Sequence, residues 1–128
     1  MRTVLVADDN RLSRELVRDV FESAHWRVVE AANGQEALDR LEAASPDLVL
    51  LDLEMPVKDG FAALAEIRKN PRFSAIPVMA VTAKAMQPDR DRIAAACFDA
   101  CITKPINVAK LRERVYELLR SSRKGEGP

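Results

Sequence analysis

The chain has 128 residues, enough for one domain with a single sizeable core. Its 20 basic and 20 acidic side chains cancel, which argues against bulk electrostatic binding to nucleic acid, a task that needs a basic surface. No apolar run nears the roughly 20 residues that cross a bilayer. Met1-Arg2-Thr3 lead straight into an apolar segment, so neither a membrane span nor a signal peptide is expected. Cys97 and Cys101 stand without a second cluster; they are expected to be reduced, small buried hydrophobes, which fits a cytoplasmic setting.

The pattern alternates strand and helix five times. Val4-Leu5-Val6-Ala7 predicts a strand that ends at Asp8-Asp9, and Asn10 suits the N-cap of a helix from Arg11 to about Ser23. Leu12, Leu16, Val17, Val20 and Phe21 fall at helical spacing there. Val28-Val29 predicts a weaker second strand, Asn33-Gly34 a turn, and Ala37, Leu38 and Leu41 a second helix. Strand three runs from Ser45-Pro46-Asp47 into Leu48-Val49-Leu50-Leu51-Asp52, before Pro56 forbids simple continuation. Asp59-Gly60 turns the chain into a third helix with Phe61, Leu64 and Ile67 on one face; Asn70-Pro71 stops it. Val78 to Val81 predicts strand four, ending at Thr82, and an Ala-rich helix with a thin apolar face follows around Pro88 to Ala96. Strand five, near Ala100 to Thr103, ends at Lys104-Pro105. Asn107 caps a last helix with the stripe Val108, Leu111, Val115 and Leu118. One domain over residues 1–122 and a short flexible tail over 123–128 are expected.

A (βα)5 alternation implies an α/β fold: a doubly wound, open parallel sheet with helices on both faces and right-handed crossovers. Its binding crevice lies at the carboxyl ends of the strands, where strand order reverses. With order 2-1-3-4-5, that point lies between strands one and three, which end in Asp8-Asp9 and Asp52. Strands four and five add Thr82 and Lys104 to the same rim.

Three gathered carboxylates repel one another by on the order of 4 kcal/mol per pair at about 4 Å and an effective dielectric of about 20. A proton or a cation must relieve them. Oxygen ligands with open positions suit Mg²⁺, which favours carboxylates plus a phosphate. Lys104 adds a compact positive charge that can pair with Asp52 and later with a phosphoryl oxygen. Thr82 offers a hydroxyl donor, and Ala83 is small enough to leave room for the group. The set describes a carboxylate that accepts a phosphoryl group.

These residues resemble the receiver domain of two-component response regulators, particularly its chemotaxis-type, single-domain, flavodoxin-like members. The likeness rests on Asp8-Asp9, on Asp52 within Leu51-Asp52-Leu53-Glu54-Met55-Pro56, on Asp59-Gly60, on Thr82-Ala83 and on Lys104-Pro105, and covers the chain from about Val4 to Leu119. The resemblance implies that Asp9, Asp52 and the backbone carbonyl of Glu54 ligate Mg²⁺ directly and that Asp8 acts through a bound water. It implies that Asp52 is the phosphoacceptor, attacking the phosphohistidine of a sensor histidine kinase or histidine phosphotransfer protein. Thr82 and Lys104 then hold the acyl phosphate, and Lys104-Pro105 is cis. It implies a switch in which Thr82 moves toward the phosphoryl group and the surface of the fourth helix, fifth strand and fifth helix repacks against a downstream protein target. A monomer or weak dimer, with no nucleic-acid or membrane partner, is expected.

The chain departs from the family at several places. Cys101 stands where an aromatic usually precedes the lysine by three residues, so a weaker readout through the strand-five face is expected. His25 and Cys97 stand where Gly is common, at positions expected to be left-handed at a cost of about 1 kcal/mol. Two rival classes share the fold pattern. A Mg²⁺-dependent aspartyl-phosphate phosphohydrolase usually carries a second Asp where Glu54 stands; an unphosphorylated docking module has no use for an intact pocket. An intermediate phosphoryl carrier in a phosphorelay is a closer alternative to the stand-alone regulator, since output is expected to go through protein contacts or through passing the phosphoryl group onward. Glu54 and Lys84 lie two residues beyond Asp52 and Thr82 and are expected to overhang the pocket together and tune the lifetime of the acyl phosphate. Neutralising Glu54 (Glu54→Gln) is expected to change the hydrolysis rate of the phosphorylated chain. An unchanged rate in a phosphate-release assay contradicts that role.

Overall fold

The computed structural model describes residues 1–83 and 86–126. Five strands, β1 Thr3–Ala7, β2 Arg27–Ala31, β3 Leu48–Asp52, β4 Val78–Thr82 and β5 Ala100–Thr103, form one sheet of order β2-β1-β3-β4-β5. Every neighbouring pair is parallel, as expected. Five helices connect and flank them: α1 Arg11–Ser23, α2 Gly34–Ala44, α3 Gly60–Lys69, α4 Gln87–Ala95 and α5 Val108–Glu126. The last helix therefore runs beyond its predicted stripe, with helical backbone as far as Glu126.

The apolar strands are central because both their faces are covered. All residues of β1, β3 and β4 are buried, whereas β2 and β5 are partly exposed edges. Period-two alternation divides the core. Val4, Val6, Leu48, Leu50, Met79 and Val81 meet Val17, Val20 and Phe21 of α1 and Leu111, Val115 and Leu118 of α5. Leu5, Ala7, Val49, Leu51 and Val78 meet Ala37 and Leu41 of α2 and Ala63, Leu64 and Ile67 of α3. A third, small cluster places Leu53, Ala80 and Ile93 beneath α4. Trp26 packs edge-on against Phe21 at 5.0 Å, closing the α1–β2 corner.

Two apolar positions do not follow the helical stripe. Leu12 is 77% exposed and Leu16 39% exposed, and α1 buries only Val17, Val20 and Phe21.

Side-chain caps set the helix starts. Asn10 accepts the Ser13 N–H at 3.0 Å, Asp59 the Ala62 N–H at 2.9 Å and Asn107 the Lys110 N–H at 3.0 Å. Two glycines permit close backbone approaches. A Cβ on Gly34 would lie 2.2 Å from the Lys58 carbonyl oxygen, and one on Gly60 2.5 Å from that of Asp52. The first sets the loop between β3 and α3 against the start of α2, and the second sets the start of α3 against the end of β3.

His25 (φ 66°) and Cys97 (φ 68°) are left-handed, as expected at these former glycine positions. Cys97 is exposed, contrary to its expected burial, because the left-handed residue at the end of α4 faces outward. Ser45 (φ 43°) ends α2 in the same conformation, and Val57 (φ 68°) adopts it between β3 and α3. Val57 is the most strained of these, since its branched Cβ crowds the left-handed backbone while its side chain is 81% exposed and gains little from packing.

Replacing Val57 with Gly is expected to stabilise the fold by about 1 kcal/mol, the left-handed relief of about 1–2 kcal/mol less the entropic cost of a glycine. In urea unfolding the midpoint should rise, and the same replacement at Val29 in β2 should lower it. A lower midpoint for Val57→Gly refutes the strain.

Candidate functional site

The carboxyl ends of β1, β3, β4 and β5 converge on one cleft of about 890 Å³. Asp8 follows β1 and is buried; its Oδ1 accepts the Asn10 N–H at 2.8 Å. Asp9 follows it and is exposed at the cleft. Asp52 ends β3 and is buried; its Oδ1 accepts the Glu54 N–H at 3.0 Å. One oxygen each from Asp8, Asp9 and Asp52 lies within 4.8 Å of the others. Thr82 ends β4 and is buried, and its carbonyl accepts the Lys104 N–H at 2.7 Å. That bond carries Lys104 past the end of β5 into the cleft, and the Lys104–Pro105 peptide is cis. The ammonium reaches two carboxylates, Oδ2 of Asp52 at 3.0 Å and Oδ2 of Asp8 at 3.0 Å.

The electrostatics follow from this burial. Desolvation pushes the Asp52 carboxyl above its ordinary range, against the pull of the Lys104 hydrogen bond and the Glu54 N–H, and Asp8 nearby pushes the same way. Burial opposes the charge on Lys104 too, yet hydrogen bonds to Asp52 and Asp8 outweigh it and hold the ammonium's pKa above the ordinary value. An incompletely compensated anion beside open solvent is a group ready to take a cation or to form a bond.

Asp8, Asp9, Asp52, Thr82 and Lys104 are thus brought together from four strands, and Ala83 and Glu54 line the cleft beside them. Lys84 lies outside the described residues. Cys101 on β5 is half-buried against the small cluster beneath α4, and burial pushes its thiol up despite the opposing charges of Arg90 and Arg114. Asp59, Phe61, Asp89 and Arg92 also line the cleft and were not legible from spacing. Phe61 reads as a core position of α3 but is only partly buried, and Asp89 and Arg92 read as a solvated helix start. Arg92 reaches the rim over the ring of Phe61, a contact between α4 and α3 that neither segment's pattern states.

The family model described as the response regulator receiver domain matches residues 4–116. The chain belongs to that family. A curated receiver relative, the polar-differentiation response regulator DivK of Brucella anthropi, is 35% identical over 118 residues, covering 92% of this chain and 96% of the relative. The chemotaxis protein CheY4 of Vibrio cholerae superposes with a TM-score of 0.87 at 26% identity, over 92% of this chain and 98% of that one. The receiver domain of the sensor histidine kinase PA1611 from Pseudomonas aeruginosa, whose structure has a magnesium ion coordinated in its active-site cleft, superposes with a TM-score of 0.84 at 29% identity, over 91% and 96% of the two chains. Among the described residues of this receiver, no helix is long and apolar enough to cross a membrane.

Lys104→Met leaves two buried carboxylates without their shared cation and is expected to destabilise the receiver by about 3 kcal/mol. Asp52→Asn should act in the opposite direction. A carboxyl whose folded pKa is raised loses stability as pH climbs through the window above its unfolded value, whereas Asn does not titrate. The advantage of Asn should therefore be absent at strongly acid pH and open as pH rises toward neutrality. Urea midpoints measured across that range decide it, and an advantage that grows toward acid pH contradicts the electrostatics.

Proposed function

We propose that this receiver accepts a phosphoryl group on Asp52 from a phosphohistidine and signals through the protein contacts that follow. The observation that carries the reading is the meeting of Asp52, Asp8, Asp9 and Lys104 at one strand-end cleft, with a single ammonium 3.0 Å from two of the carboxylates. The donor set fits Mg²⁺: three carboxylates gathered on one side, hard oxygen donors only, and an open face toward solvent for water or a phosphoryl oxygen. Asp9, Asp52 and the carbonyl of Glu54 would hold the ion, with Asp8 acting through a water. Bound there, Mg²⁺ supplies positive charge against the carboxylates and the phosphoryl oxygens.

The remaining chemistry belongs to this chain. An oxygen of Asp52 attacks phosphorus; the P–O bond forms as the donor's P–N bond breaks, and the electron pair leaves with the imidazole, which takes up a proton. Lys104 stays charged throughout and turns from the Asp52 carboxylate to a phosphoryl oxygen, at no cost in protonation because its pKa is held high. Thr82 offers its hydroxyl to a second oxygen, and Ala83 leaves space beside it. Leu12 and Leu16, exposed one turn apart on α1 and close in sequence to the cleft residue Asn10, suit an apolar docking surface for a histidine kinase or phosphotransfer protein. A groove of about 480 Å³ between α4, β5 and α5, lined by Cys101, Phe98, Ile93 and Arg114, suits the surface that meets a downstream target. The protein acts in the cytoplasm, as a monomer or weak dimer, and as a switch rather than a turnover enzyme. Glu54, and with it Lys84, tunes the lifetime of the acyl phosphate. Cys101 favours a second reading, an intermediate carrier in a phosphorelay, since onward transfer needs no aromatic to swing.

Incubation with acetyl phosphate and Mg²⁺ should add one phosphoryl group at Asp52, seen as a mass gain that persists on the chain. Asp52→Asn or chelation of Mg²⁺ should abolish it. Rapid turnover without accumulation points to a phosphohydrolase, and no gain at all to a docking module; either result overturns the proposal.

A further inference from the structure

Two cations line the cleft among the described residues, and they stand in different states. Lys104 is committed to Asp8 and Asp52. Arg92, on α4 at the opposite rim, makes no ion pair and no side-chain hydrogen bond among the described residues; its guanidinium carbon lies over the Phe61 ring, 3.9 Å from the centroid. A stacked guanidinium keeps its N–H groups directed outward from the edge of its plane, in the fork that matches two oxygens of a phosphate. The ring beneath is itself fixed: Phe61 packs edge-on against Phe98 at 5.7 Å, and both join the apolar cluster of Leu53, Ala80 and Ile93. The head is held in place by the stack while its donors remain unused.

The charge around it gives that arrangement a use. Asp9, Asp52, Glu54, Asp59 and Asp89 line the same cleft. An approaching phosphodonor is itself an anion, so five carboxylates repel it before any bond can form. Lys104 sits deep, already neutralised by its two partners. Among the described residues, Arg92 is the exposed cation at the mouth with donors to spare.

We propose that Arg92 is a phosphodonor-binding residue, which uses the platform of Phe61 to receive the phosphoryl oxygens of the incoming donor and direct them toward Asp52. The inference rests on the phosphoacceptor reading of Asp52. It adds a recognition group from α4 to those at the strand ends, and it covers small phosphodonors such as acetyl phosphate as well as a phosphohistidine, because the shared chemistry is the phosphoryl anion.

The test is the rate at which the full chain gains a phosphoryl group from acetyl phosphate with Mg²⁺, followed by mass spectrometry at several donor concentrations. A charge-assisted contact at an exposed site predicts that Arg92→Ala lowers the apparent second-order rate constant roughly tenfold. Arg92→Lys, which keeps the charge and loses the fork, should recover part of it. Phe61→Leu, which keeps Arg92 and removes its platform, should lower the rate by a smaller factor. The wild-type rate should also fall more steeply with salt than the Arg92→Ala rate, a readout that a purely structural role for Arg92 would not move. Thermal melts of the variants confirm that each is folded. An Arg92→Ala rate within twofold of wild type, with wild type itself phosphorylated, overturns the role of Arg92 and leaves Asp52 as the acceptor. A wild-type chain that gains nothing takes down both readings.

Discussion

One ammonium group shared between two buried carboxylates organises this receiver. Asp8 and Asp52 come from adjacent parallel strands, and neither has enough solvent to carry a charge cheaply. Lys104 arrives from the far edge of the sheet, placed by its own N–H on the Thr82 carbonyl. The link is long in sequence, 96 residues from Asp8 to Lys104, and so it forms only when β1, β3, β4 and β5 are in register. The site is therefore a product of the finished sheet. Its pairing is also incomplete: three carboxylates gather and the one ammonium contacts two of them, which leaves the cluster short of positive charge on its solvent side. A phosphoryl-transfer site needs that shortage, because full internal neutralisation would leave nothing for a metal ion to bind.

Much of this was legible in the sequence because strand ends obey simple rules. A short apolar run followed at once by Asp, Thr or Lys states both where the strand is and what it presents, and parallel strands of an alternating fold present their ends on the same side. That logic located Asp8, Asp9, Asp52, Thr82 and Lys104 without coordinates. The caps Asn10 and Asn107 were equally readable, since their side chains act on the backbone three residues on, whereas Asp59 read as a turn and is also a cap. The left-handed positions His25 and Cys97 were readable only through the family's glycines.

What escaped depends on how whole helices sit. Leu12 and Leu16 carry the right spacing for a core stripe, but spacing fixes which residues share a face and not how much of that face the sheet covers. Val57 has no local signal for a left-handed backbone, and its side chain argues against one; the loop adopts it because the close approaches at Gly34 and Gly60 leave little alternative path from Asp52 to α3. Arg92 and Phe61 belong to different helices 31 positions apart, and nothing in either segment announces the other.

The helix that carries Arg92 is also the least anchored. Met86 at its start gives no side-chain cap, and Ile93 is its one buried side chain among those described. Elsewhere each helix sinks three or more apolar side chains into the core, the large ones at roughly 1.5–3 kcal/mol apiece, so α4 is held by less than its neighbours. An element so lightly held can be shifted by a free energy of the size that one phosphoryl contact supplies. Its contacts run in a continuous line, from Arg92 on the Phe61 ring, through Phe61 against Phe98, to the cluster that Cys101 joins at the α4–β5–α5 groove. In a chain with Cys101 where the family has an aromatic, packed rings and the cation over them join the cleft to the outer groove, and the line ends at a half-buried thiol.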